Sequence, residues 1–209
     1  MMKFSWGGPD RTPPVIEARF EGLPGYEAWR GLFEDVGNPE KSVRELFKAF
    51  DDFLHAIGEV DRKLVKTKCV FISHRRCDWS LAEDVATTVT NTGRDYWLDI
   101  HDPTLQWANG IAVNLGSVAG AILLAAIIEI ALLNSTHVIA LHTVNSPGSA
   151  WIPYELGRAK ARKIFSSQAA GWFDSQTILS GSPEYVHLAH QTFSHRDVED
   201  WLMKKGRYA

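Results

Sequence analysis

"THVIALHTVNSPGSAWIPYELGRA", residues 136–159, decides the fold class. It opens on an apolar run of strand length, THVIALHT (136–143), turns through Ser-Pro-Gly-Ser, and continues as a helix to about residue 163. A short apolar run bounded by turn residues reads as a strand buried on both faces. Strand, short loop and helix in this order are half of a β-α-β unit, which implies a parallel sheet covered on both sides. Pro153 falls in the first helical turn, where its missing N–H has no intrahelical partner to lose. Trp151 and Glu155 stand four residues apart on that helix, and so on one face of it.

The same alternation extends in both directions. Upstream, KCVFIS (68–73) reads as a buried strand and DWSLAEDVATTVTNTG (78–93) as a helix closed by Gly93. DYWLDI (95–100) reads as a second strand, and a loop through HDPTLQWANG leads to the apolar helix VAGAILLAAIIEIALL (118–133). Downstream, QTILSG (176–181) and YVHLAH (185–190) are weaker strand candidates, and HRDVEDWLMKK (195–205) is an amphipathic closing helix. In open parallel sheets ligands bind in the crevice beyond the carboxyl ends of the strands. That rule gathers three loops, SHRRCD, HDPTLQW and VNSPGSAW, with Glu155 early in the helix after the last of them.

Residues 1–66 differ in character and read as a helical extension preceding a domain of residues 67–209. YEAWRGLFEDV is a short helical pattern. In the segment after it, Asn38 suits an N-cap and Pro39 the first helical position. Val43, Leu46, Phe47, Phe50, Phe53, Leu54 and Ile57 then form one apolar stripe, with Gly58 as its stop. Such a stripe needs a partner, either the domain that follows or a second chain.

Composition narrows the function classes. The chain has 209 residues, 45% hydrophobic and 22% charged, enough to bury a core without staples. A net charge of −3 gives no reason to expect a nucleic-acid or membrane partner. Cys69 and Cys77 lack CxxC spacing, which suits a reduced, cytoplasmic protein with incidental thiols. The apolar run 118–133 falls short of a bilayer span, contains Glu129 and lacks a basic flank, so it reads as a buried helix. MMKFSWGGPDRTPP has no apolar core of a signal peptide. The eight histidines are spread singly, His137 and His142 on the third strand among them, and no metal site is expected. Cys77, beside Arg76, reads as a plain loop thiol.

Taken in order, VFISHRRCD, DYWLDIHD and IEIALLNSTHVIALHTVNSPGSAWIPYELGRAKA resemble the Toll/interleukin-1 receptor (TIR) domain, particularly its bacterial members, over roughly residues 68–205. Ser73, His74 and Arg75 look like the end of the family's first box. Asp99 ends a strand that looks like the one leading into the BB loop. Ser149, Trp151 and Glu155 resemble the serine, tryptophan and WxxxE helix of TIR domains that cleave NAD. The loop IHDPTLQWANGIAVNLGSVAG departs from the family pattern: it is long, Gly-rich and without a strong signature.

The resemblance implies a flavodoxin-like TIR fold and an NAD+ glycohydrolase or ADP-ribosyl cyclase. It further implies self-association through TIR domains and a role in bacterial antiviral defence of the Thoeris type, with a separate effector or sensor protein. NAD+ is then substrate, and no cofactor is required. Glu155 is the catalytic residue carried over. Ser73, His74, Arg75, Arg76, Asp99 and Trp151 are the substrate-binding candidates, and Tyr154 and Trp107 weaker aromatic ones.

Physical chemistry makes the same assignment intelligible. Cleaving the ribose–nicotinamide bond passes through an oxocarbenium-like state comparable to that of glycoside cleavage. One carboxylate beside the anomeric carbon stabilises the positive charge, and the pyridine departs neutral, so no general acid is needed. Arg75 or Arg76 would pair with the pyrophosphate through a guanidinium fork, and Trp151 would wall the ribose or nicotinamide. Glu155 could instead pair with Arg158 or Lys160 at the surface. Two rival functions are a non-catalytic TIR scaffold and a nucleoside deoxyribosyltransferase-like enzyme.

Overall fold

A computed structural model describes residues 26–38, 40–61, 69–102, 105–106, 108–109, 117–160 and 168–204. The chain divides into two compact units. One contains residues 67–98 and 135–209, the other residues 5–66 and 99–134.

The first unit is built on five parallel strands: β1 (Cys69–Ser73), β2 (Asp95–Trp97), β3 (His137–His142), β4 (Ala169–Phe173) and β5 (His190–Thr192). Their order is β2-β1-β3-β4-β5, that of flavodoxin-like doubly wound sheets, in which the winding reverses between β1 and β3. Every residue of β1 and β4 is buried. Sheets covered on both faces need such continuously apolar strands.

Register assigns the two faces. Ser73 pairs with Ala140, and Ala140 with Gly171, so these three side-chain positions share one face. Helix α5 (Trp151–Lys160) covers it: Ile152 and Leu156 pack with Ala140 and Ala169. Leu141 pairs with Trp172 on the opposite face. There Trp172 meets His195 of α7 (His195–Met203), their rings 5.0 Å apart. Helix α3 (Trp79–Asn91) lies beside α7, with Thr88 Oγ1 2.7 Å from His195 Nδ1. Gly93 ends α3 with a φ of +75°, the left-handed geometry expected of a glycine stop.

The strand between α5 and β5 is β4, a run the sequence reading passes over. The candidates after it also change. QTILSG is not a strand: Gln176–Ser180 forms the short helix α6, where Ser175 Oγ accepts from Ile178 N–H at 3.2 Å as a capping residue does. Within YVHLAH, Glu184–Leu188 is a 3-10 turn and strand pairing begins only at His190. The second strand is shorter than predicted, because Asp99–His101 turns as 3-10 helix.

The second unit contains α1 (Tyr26–Gly37), α2 (Val43–Asp61) and α4 (Ser117–Leu133). All three pack together. From α1 come Trp29, Leu32 and Val36, from α2 Leu46 and Phe53, all buried. Thus α4, apolar all round, groups with the helices of the N-terminal segment, although the boundary read at residues 66/67 separates it from them. The predicted stripe on α2 is narrower than expected, since Val43 and Phe47 are more than half exposed. The cap is Ser42, not Asn38. Ser42 N–H donates to Glu45 Oε2 at 2.8 Å and Glu45 N–H to Ser42 Oγ at 3.4 Å, a capping box. Asn38 instead holds a turn, accepting from Glu40 N–H at 3.0 Å. Gly58 does not stop α2, which runs on to Asp61. No helix among the described residues is long and apolar enough to cross a membrane.

Candidate functional site

Two loops emerge side by side at the reversal between β1 and β3. The first carries Ser73, His74, Arg75 and Arg76. Ser73 closes β1, is 1% exposed, and its Oγ has no hydrogen-bond partner among the described residues. His74 and Arg75 are half-buried and Arg76 is exposed. Arg75 is extended and its carbonyl accepts from Asp78 N–H at 2.8 Å, closing a 3-10 turn over Arg76–Asp78.

The second loop leaves β3 and delivers α5. Ser146 organises it: its Oγ donates to Leu141 O at 3.0 Å and accepts from Thr143 N–H at 2.9 Å. Gly148 adopts a φ of +80°, which only glycine enters without strain. Ser149 Oγ then accepts from Ile152 N–H at 3.2 Å, which caps α5. Pro153 sits in the first turn as its chemistry requires.

A side chain outside the predicted set ties these loops together. Asp78, 8% exposed, accepts from Thr143 Oγ1 at 2.9 Å and from Asn145 Nδ2 at 2.6 Å. The carboxylate therefore bridges the crevice at the winding reversal. Its only sequence signal was an aspartate at the start of a helix, a placement that usually means a cap; here it caps nothing.

Glu155 lies in the second turn of α5 and is 6% exposed, on the helix side that buries Ile152 and Leu156. It is thus no solvated surface residue. Lys160 Nζ has no hydrogen-bond partner among the described residues, so the suggested Glu155–Lys160 surface pair does not form. Burial holds the Lys160 ammonium below its ordinary pKa.

Trp151 has a different environment from Glu155. It is 42% exposed and its ring meets Tyr154 edge-on at 5.8 Å. Asp99 belongs to the second unit, where its Oδ1 accepts from Ile100 N–H at 2.7 Å. Trp107 lies outside the described residues. The first unit therefore places Ser73, His74, Arg75 and Arg76 at the end of β1 and on the loop after it, and Trp151 and Glu155 on the helix that the loop after β3 delivers, the two loops being joined by Asp78. Among the described residues no group of three or more His, Cys, Asp or Glu is placed to hold a metal ion.

Against protein-family models, curated proteins and solved structures, the chain matches none.

Proposed function

We propose that this protein is a TIR-type enzyme that cleaves the nicotinamide–ribose bond of NAD+, with Glu155 as the catalytic carboxylate. The observation that carries this reading is the burial of Glu155 on the helix that starts at the crevice. A carboxylate withdrawn from water loses hydration that only specific partners or a cationic transition state can replace. The motif order and the β2-β1-β3-β4-β5 sheet both favour the family. In the reaction, Glu155 faces the anomeric carbon as nicotinamide departs, and Arg75 or Arg76 holds the pyrophosphate. The ribosyl product, hydrolysed or cyclised, is the antiviral signal read by a separate effector.

The exposed Trp151–Tyr154 pair favours a second reading in which α5 is a contact surface and the protein a scaffold. One experiment separates them. Purified protein is incubated with NAD+, with and without a crowding agent, and products are resolved by mass spectrometry. Nicotinamide release by the wild type, lost in folded Glu155→Gln, supports the enzyme. Intact NAD+ under both conditions favours the scaffold, and cleavage by Glu155→Gln at the wild-type rate removes Glu155 from the chemistry.

A further inference from the structure

A cavity of about 440 Å³ opens in the first unit between the β3–α5 loop and the segment joining β4 to β5. Its size falls within the usual range for small-molecule sites, roughly 300–1,000 Å³. Glu155, Arg75 and Arg76 are not among its lining residues, so it is separate from the site proposed for NAD+ cleavage.

The lining has three chemical features. Among the described residues the cavity is lined by no Asp, Glu, Lys or Arg side chain. Its walls include the compact, rigid rings of Pro147, Pro153 and Pro183 and the flat ring of Tyr185. Its polar side chains are largely committed: Thr143 Oγ1 donates to Asp78, Ser146 Oγ to Leu141 O and Ser182 Oγ to Ile178 O, while Ser149 Oγ caps α5. The buried exception is His142. It is 3% exposed, and its Nε2 has no hydrogen-bond partner among the described residues. A buried polar atom left unpaired costs free energy, and a ligand atom that meets it recovers that loss. The imidazole is held flat against Phe173, ring centroids 4.9 Å apart and planes 11° from parallel. Gly171 makes the stack fit: a Cβ there would come within 2.8 Å of the Phe173 ring.

We propose that this cavity binds an uncharged nucleoside or free nucleobase, with the base edge meeting His142 Nε2 and the ring lying between the proline and tyrosine walls. A base edge offers a donor beside an acceptor, so it pairs with either tautomer of a neutral imidazole. Burial lowers the His142 pKa to about 4, which keeps the ring neutral at physiological pH. The described lining offers a phosphate no cationic side chain, so a nucleotide, which must give up the hydration of its charge, is disfavoured relative to its nucleoside.

Adenosine, uridine and AMP serve as probes, by saturation-transfer NMR for detection and titration calorimetry for affinity. Three variants accompany the wild type. His142→Phe keeps the stack and removes the polar edge, Val144→Trp blocks the mouth from a rim residue that is 74% exposed, and Glu155→Gln alters only the proposed catalytic site. Adenosine or uridine should bind, more tightly than AMP. Affinity should fall roughly five- to tenfold in His142→Phe, the loss of about one hydrogen bond. Binding should be blocked in Val144→Trp and unchanged in Glu155→Gln. The proposal is overturned if neither nucleoside binds, if AMP binds as tightly, or if binding survives both cavity variants. Loss of nucleoside binding in Glu155→Gln would also overturn it, by moving the site to the proposed catalytic one.

Discussion

Replacing Asp78 by alanine should separate the two loops on which the candidate site is built. The side chain is 8% exposed and accepts two hydrogen bonds, from Thr143 Oγ1 at 2.9 Å and Asn145 Nδ2 at 2.6 Å. Their environments differ. Thr143 is 4% exposed, so its hydroxyl loses a partner that water cannot readily replace, at about 1–3 kcal/mol. Asn145 is exposed, and water takes over most of its bond, leaving about 0.5 kcal/mol. Asp78→Ala should therefore destabilise the protein by about 1.5–3.5 kcal/mol. Urea unfolding followed by tryptophan fluorescence gives the number, read as a lower midpoint at constant slope. A double-mutant cycle with Thr143→Val isolates the bridge and should give a coupling of about 1–2 kcal/mol. If Asp78→Ala costs under about 0.5 kcal/mol and the coupling is negligible, the reasoning fails, because solvent then substitutes for the bridge.

Four further outcomes are expected. His142 and His137 are both held down to a pKa of about 4, chiefly by burial. Because the unfolded chain takes up these protons below about pH 6.5, their contribution is full above that pH and is lost as pH falls towards 4. The loss is on the order of 3 kcal/mol for His142 and less for half-buried His137, so His142→Phe should flatten a urea–pH series in that window. Burial pushes the Cys69 thiol up to about 12, while Cys77 is exposed; an aromatic disulfide reagent at pH 8 should label one thiol in the native protein and the second only in guanidinium. Gly171→Ala should destabilise by about 1–3 kcal/mol through the Phe173 clash. Gly157→Ala, mid-helix with open space around the new methyl, should stabilise by about 0.5–1 kcal/mol, both read from thermal midpoints.

How far a residue's role could be read from the chain depended on where its partners are. Strands β1 and β3 and helices α3, α5 and α7 announce themselves because their signals are local: an apolar run, a capping serine, a glycine stop. Glu155 could be singled out by its place in a motif, yet its burial is a property of the sheet beneath α5. AAGWF gives little sign of being a strand, since alanine and glycine have low strand propensity; it pairs because β3 and β5 flank it. In QTILSG the β-branched residues suggested a strand, and the Ser175 cap decided otherwise.

The sequence by itself determined the α/β alternation, the parallel sheet and the loop that carries Glu155, because periodicity and turn chemistry act over a few residues. Only the tertiary structure decided that α4 groups with α1 and α2, that Asp78 spans 65 residues of chain to hold Thr143, and that His142 lines a cavity with its Nε2 unpaired among the described residues. An apolar surface specifies that it will be buried, not against what. Likewise a carboxylate or imidazole carries no mark of its partner until the fold brings distant segments within hydrogen-bond reach.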